Sequence, residues 1–325
     1  MKYLNKIFFY TAILYSLLIS IAFAQNSYPN RPISIVVPYP PAGGVDTVAR
    51  IIAPFLSERL GQKIIIENKP GVSGVVGSQY VARALPDGYT LLLGNTTTHA
   101  TNIYLTKNMG YNPTKDFIGI SLIDIGPTVL LVPANSRFNS VADMIKDLKN
   151  RPGLLNYGSS GTGSVGHLAA EILLNATKTK AQHISYKGGA AVLTDLVGGQ
   201  LDFAFEQIPP SQQLIQAGRL KALGVSSKTE MSALLGVKPI SELGINDYEM
   251  VTWHAIFAPS GTDPLIVQRL GNEISSIVRL PSVSKKLEDL GLIPDSRHNL
   301  EFHNFWLSDI AKWGKLVQDS AMKPE

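Results

Sequence analysis

Cysteine is absent from all 325 residues. That excludes disulfides, thiolate nucleophiles, cysteine-ligated zinc and a lipid-modified cysteine behind a leader. Charge is sparse too. Charged residues make up 17% of the chain, 29 basic against 25 acidic for a net +4, and no run of one sign suggests a nucleic-acid partner. The six histidines are scattered without a His-x-x-x-His pair, so no metal site and no cofactor is expected. There is no short-period repeat and no low-complexity tract. Beyond residue 24 no apolar run is long enough to cross a bilayer.

What is present begins with an apolar N-terminus. Lys2 and Lys6 precede the uncharged run Ile7–Phe23, and Ala22-Phe-Ala24 fits a small-x-small cleavage rule. Residues 1–24 are therefore expected to be a secretory signal peptide, cut before Gln25, with an uncleaved membrane anchor as the rival reading. Removing them takes two lysines and no acid, leaving +2. An exported chain without disulfides must rely on its own core, and the 45% hydrophobic content allows one large domain or two ordinary ones. A bacterial periplasm is the expected location.

The next 300 residues alternate strand and helix. Ile33–Val37 is a β-branched strand stopped by Pro38, Pro40 and Pro41, which remove ladder donors. Gly43 and Gly44 permit close backbone approach before a helix of about 46–60, in which Pro54 should produce a kink. Lys63–Glu67, Tyr89–Leu93, Leu154–Tyr157, Gln182–Ser185, Leu201–Glu206 and Trp253–Pro259 read as strands, with helices between them. This pattern predicts an α/β fold with mostly parallel sheets. Two apolar stretches, Phe117–Pro133 and Leu220–Ser226, are long or isolated enough to cross between sheets. They predict domain 1 from 25–125 and 225–325, a continuous domain 2 from 126–224, and a ligand cleft between them.

A strand, a glycine loop and a helix N-terminus together form an anion site of backbone amides. The device occurs twice, at Gly43–Gly44 and at Gly158-Ser-Ser-Gly-Thr-Gly-Ser-Val-Gly-His-Leu168. The second contains the Gly161, Gly163, Gly166 spacing of a dinucleotide fingerprint, but the next strand ends in Tyr186 without the required acid. It also fails the G-x-S-x-G elbow, because Thr162 replaces the second glycine. A smaller anion fits better, held by amides around Gly161–Ser164 and by the hydroxyls of Ser159, Ser160, Thr162 and Ser164. His167 opens the following helix and is expected to pack or cap. Thr96, Thr97 and Thr98 end a strand where ligands bind in open sheets, or else cap the next helix. Asp46 caps amides or contacts a ligand amine, and Glu206 contacts ligand or faces the hinge.

These stretches resemble one family. Val37-Pro-Tyr-Pro-Pro-Ala-Gly-Gly-Val-Asp-Thr-Val-Ala-Arg50 is similar to the first loop of the Bug-type, TctC-like receptors of tripartite tricarboxylate transporters. So is Glu67-Asn-Lys-Pro-Gly71. Tyr157–Glu171 resembles the second loop and Tyr186–Asp202 the segment after it. The likeness spans about Tyr28 to Trp313, with Ala42 where glycine is frequent and Glu206 where aspartate is. It implies a type II-like two-domain periplasmic binding protein fold. It also implies that Tyr39, Pro40, Ala42, Gly43 and Gly44 line the site with the second loop, holding a mono- or dicarboxylate through amides and bridging waters. The implied protein is a monomer without enzymatic activity that delivers its ligand to a membrane permease. An exported hydrolase and a ligand-sensing co-receptor are the alternatives.

Overall fold

The computed structural model describes residues 28–41, 43–186 and 188–319, so Ala42 and the expected signal peptide lie outside the described residues. Ten strands build the sheet: β1 (Ile33–Val37), β2 (Ile64–Asn68), β3 (Thr90–Asn95), β4 (Phe117–Pro133), β5 (Asn156–Ser159), β6 (Gln182–Ser185), β7 (Phe203–Gln207), β8 (Leu220–Val225), β9 (Val251–Pro259) and β10 (Ile293–Pro294). The longer helices are α1 (Gly44–Leu60), α2 (Val75–Ala82), α3 (Val141–Asn150), α4 (Val165–Thr177), α5 (Gly189–Val197), α6 (Ile208–Gln216), α7 (Pro264–Val278), α8 (Pro281–Asp289) and α9 (Asn299–Asp319). The strand order is β2-β1-β3-β9-β4-β7-β5-β6, with β8 and β10 also pairing β4.

β4 organises this order. From Phe117 to Pro127 it pairs with β9, and from Thr128 onward with β7 and β8. One 17-residue strand therefore belongs to two lobes of sheet, as its apolar length predicts. The pairing is mixed rather than mostly parallel. β1 runs parallel to β2 and β3, and β5 parallel to β6 and β7, whereas every pairing of β4 and β9 is antiparallel. The parallel pairs are those bridged by helical crossovers. The antiparallel pairs join segments far apart in the chain, and no local pattern encodes their direction.

Proline at position 54 lies on the exposed side of α1, which runs through it without interruption. The carbonyl that loses its partner faces water there, which lowers the cost of the missing amide. Ile33, Ile35, Val48, Ile52 and Leu56 pack β1 against α1, with α7 and α8 completing that layer. In the second lobe Leu193, Leu196, Ala204 and Val225 pack α5 against β7 and β8. The three tryptophans, Trp253, Trp306 and Trp313, are all at most 1% exposed, and α9 thereby clamps the face of β4 and β9. Burying such rings contributes roughly 1.5–3 kcal/mol each or more, which substitutes for the missing disulfides.

Candidate functional site

The main cavity, about 1250 Å³, opens between the two lobes. One wall comes from the first lobe, with Tyr39, Val45, Ser73, Asn95 and Thr97; the other comes from loop 160–166, the start of α5 and the end of β7. Thr128, the first β4 residue to pair with the second lobe, lies on its floor. The lobes meet directly: a side chain added at Gly163 would strike Leu105 Cδ1 at 2.7 Å, and one at Gly44 would stand 3.6 Å from Gln207 Oε1.

On the first wall, the Tyr39 hydroxyl donates to Asn95 Oδ1 at 3.2 Å, and Asn68 Nδ2 donates to the Tyr39 carbonyl at 3.1 Å. Burial pushes the Tyr39 phenol up to about 12. Gly43 is the N-cap of α1 with an ordinary φ of −78°, and Pro40, Gly43 and Gly44 are exposed without lining the cavity. Asp46 is 2% exposed. It accepts from Arg50 Nε at 2.8 Å, Arg50 Nη2 at 3.0 Å and Asn68 Nδ2 at 2.9 Å. Its carboxylate braces α1 against β2.

The threonine run begins where β3 has ended, in the helical turn after Asn95. Thr97 lines the cavity, while Thr96 and Thr98 are buried. The Thr96 hydroxyl accepts from the Trp253 amide at 3.0 Å, and the Thr98 hydroxyl accepts from the Asn95 amide at 3.0 Å. Both are structural.

The second loop carries the main departure from the sequence reading. Ser159 is wholly buried beneath it. Its Oγ donates to the Gly161 carbonyl at 2.9 Å, accepts from the Gly161 amide at 3.3 Å and sits 2.6 Å from His183 Nε2. The Gly163 amide donates to His167 Nδ1 at 2.9 Å, and the Ser164 amide to the Gly161 carbonyl at 3.1 Å. Three amides expected to meet the ligand are thus committed within the loop. The loop lines the cavity from Ser160 to Ser164, with the hydroxyl side chains of Ser160, Thr162 and Ser164, followed by Val165 and Gly166. Those last two open α4, where first-turn amides have no intrahelical acceptor. His167 and His183 stack 3.9 Å apart under the loop, and burial holds both down at about 4. They are neutral supports.

Four buried side-chain polar atoms lack a partner among the described residues: His99 Nε2, Asp124 Oδ2, Ser164 Oγ and Glu206 Oε1. The last two belong to residues on the cavity wall. Burial pushes Glu206 up to about 7, opposed by the Gln207 amide. Sequence reasoning missed Asn95, Ser73, Thr128, Gln207 and Arg219, all on the wall. Only Ser73 had a signal, the Gly71-x-x-Gly74 spacing after Pro70: Val72 and Ser73 have φ of 45° and 51° between two glycines of positive φ. Among the described residues no three His, Asp or Glu converge on a metal position.

Comparison with known proteins decides the family. The family described as tripartite tricarboxylate transporter family receptor matches residues 48–322. The chain belongs to it. BugT of Bordetella pertussis is 30% identical over 301 residues, 92% of each chain, and a protein of Pseudomonas sp. strain P51 from the tcbD-tcbE intergenic region is 35% identical over 90% of this chain and 87% of its own. Among solved structures, an R. palustris protein with adipate superposes with a TM-score of 0.83 at 34% identity, covering 92% of this receptor and 100% of that chain. MatC from Rhodopseudomonas palustris, with bound malate, gives 0.77 at 29% identity over 89% and 100%. The receptor therefore has the fold of periplasmic solute-binding proteins and a solute-binding role.

Proposed function

We propose that this receptor captures a small organic carboxylate in the cleft between its lobes and hands it to a membrane permease, without chemistry of its own. In this reading residues 1–24 are removed on export, the mature protein is a periplasmic monomer, and the lobes are residues 25–125 with 225–325 and residues 126–224. The observation that carries it is Ser164 Oγ, a buried hydroxyl without a partner at the head of α4, beside the open first-turn amides of Val165 and Gly166. An anion there meets donors and the positive end of a 13-residue helix. The adipate and malate in the solved relatives are small carboxylates and agree with it.

The test is thermal unfolding of the mature protein with a panel of two- to eight-carbon acids. A ligand at 100 times its Kd stabilises by about 2.7 kcal/mol and raises the melting temperature. No shift with any acid, or a shift only with amines, refutes the carboxylate reading. A hydrolase would have to use Ser159 and His183, the one serine–histidine contact at the loop. Ser159 is 0% exposed and its oxygen already bonds Gly161, so substrate has no approach to it. Hydrolysis of a p-nitrophenyl ester that is lost in Ser159→Ala would reverse that judgement.

A further inference from the structure

Glu206 is the one carboxylate on the described cavity wall. It is the last residue but one of β7, is 8% exposed, and leaves Oε1 without a hydrogen-bond partner. Its carboxyl group lies over the first residue of α5: a side chain added at Gly189 would meet Oε2 at 2.7 Å. The protein's own acid thus occupies a helix end that would otherwise receive a ligand anion.

Among the described residues, none on the cavity wall neutralises it. Of the other titratable groups on the wall, Tyr39 gives its hydroxyl to Asn95 and Arg219 is exposed. On α5, Asp195 accepts from the Tyr186 hydroxyl; on α4, His167 accepts from the Gly163 amide and Glu171 from the Tyr157 hydroxyl; on α1, Asp46 and Arg50 bond each other. Thr128 and Val129 of β4 and the whole of α6 carry no charge.

We propose that Glu206 sets the ligand class: above neutral pH the cleft takes a monocarboxylate whose far end donates a hydrogen bond, as a hydroxyl, amide or ammonium does, and rejects acids with a second carboxylate. The inference rests on the carboxylate reading above. A donor at the far end satisfies Oε1, whereas a second carboxylate there places two like charges in a site that burial makes hard to screen. Protonated, as its position near 7 allows, Glu206 donates instead, so the penalty on a dicarboxylate weakens as the pH falls.

The experiment is calorimetry with two matched sets: hexanoate, 6-hydroxyhexanoate, 6-aminohexanoate and adipate, then butyrate, 4-hydroxybutyrate, 4-aminobutyrate and succinate. Wild type and Glu206→Gln are titrated at pH 8.5 and 6.5, with melting curves to confirm folding. Glutamine keeps the shape and removes a buried charge. At pH 8.5 wild type should bind the hydroxy or amino acid of at least one set roughly tenfold or more tighter than the plain acid, with the diacid weakest. In Glu206→Gln the diacid should gain at least about tenfold and its pH dependence should flatten. The proposal is overturned if a diacid binds wild type at pH 8.5 as tightly as its hydroxy and amino partners, or if Glu206→Gln leaves the order unchanged. Failure of all eight acids to bind is a different result: it removes the carboxylate reading, and this inference with it.

Discussion

Four glycines at the two loops look alike in sequence, yet alanine at each should give a different result. Gly161 has φ +136°, a region only glycine adopts readily, and an added side chain would have space, its nearest neighbour being the Tyr186 carbonyl at 4.0 Å. The cost is therefore backbone strain, about 1–3 kcal/mol, and the loop relieves it by moving Ser160 and Thr162 off the cavity wall. Expressed in affinity that is roughly a 5- to 150-fold rise in Kd. Gly163 combines φ +74° with the Leu105 contact, so alanine there strains the loop and also holds the lobes apart. At Gly166 the backbone is unstrained, but a side chain would run into the Phe205 carbonyl oxygen. Overpacking of α4 on β7 costs about 1–3 kcal/mol of stability and lowers the melting temperature by a few degrees. Gly43 is the control: φ is −78° and the nearest atom is 3.5 Å away. The lost chain entropy favours alanine and the N-cap position disfavours it, both by under about 1 kcal/mol. Calorimetry with a carboxylate that binds wild type, beside melting curves, separates the four. Equal binding by Gly161→Ala and wild type, or equal damage from Gly43→Ala and Gly161→Ala, would refute the reasoning.

Acidification should destabilise the receptor through His167 and His183: with folded values of about 4 below an unfolded 6.5, their contribution is complete above 6.5 and is lost as the pH falls toward 4. His167→Asn keeps an acceptor for the Gly163 amide and cannot titrate, so its melting temperature should fall less over that window than that of wild type; an identical slope counts against the assignment. Asn68→Ala removes one of the donors to the buried Asp46 carboxylate and should cost about 1–3 kcal/mol in urea unfolding, with no loss expected from Arg31→Ala, whose ion pair with Asp87 is exposed. Ser226→Ala strips the partner from the buried Thr128 amide, 2.7 Å away, and from the Met250 carbonyl, so a loss of about 2–4 kcal/mol is expected from the unfolding midpoint.

Local signals carried much of this fold. The two strand–glycine–helix units and the boundaries of Gln182–Ser185 followed from β-branching, proline and glycine alone, because each is settled by neighbours a few residues away. The long apolar β4 was legible as a crossing strand for its length. The antiparallel insertion of β9 between β3 and β4 was not, since it depends on which distant segment closes the sheet. Within the site, Thr96, Thr97 and Thr98 read alike in sequence, and only the helical turn after β3 separates Thr97, on the cavity wall, from its two buried neighbours. No spacing shows that the Gly161 and Gly163 amides are already taken. That depends on Ser159 and His167 lying under the loop, and on His183 arriving from another strand. Gln207 and Arg219 reach the cavity only through the packing of α6 and β8.

The crossing strands also explain how one cleft can have a fixed floor and exchangeable walls. β4 passes from one lobe to the other at Gly126–Pro127, where a side chain at Gly126 would meet Thr252 Oγ1 at 2.9 Å. One residue later, the Thr128 amide and hydroxyl both bond Ser226 Oγ, and the Ser226 amide returns to the Thr128 carbonyl at 2.9 Å. The Met250 amide then bonds the Ser226 carbonyl at 3.0 Å, just before β9 re-enters the first lobe. Three segments are tied at one point, and Thr128 stands there at the floor of the cavity. The walls, by contrast, hang on separate lobes: Tyr39 and Thr97 on one, loop 160–166 and Glu206 on the other. The tie holds Thr128 in place through Ser226 and Met250, independently of the residues on either wall. Substitution on a wall is therefore expected to leave the packing at Thr128, Ser226 and Met250 unchanged.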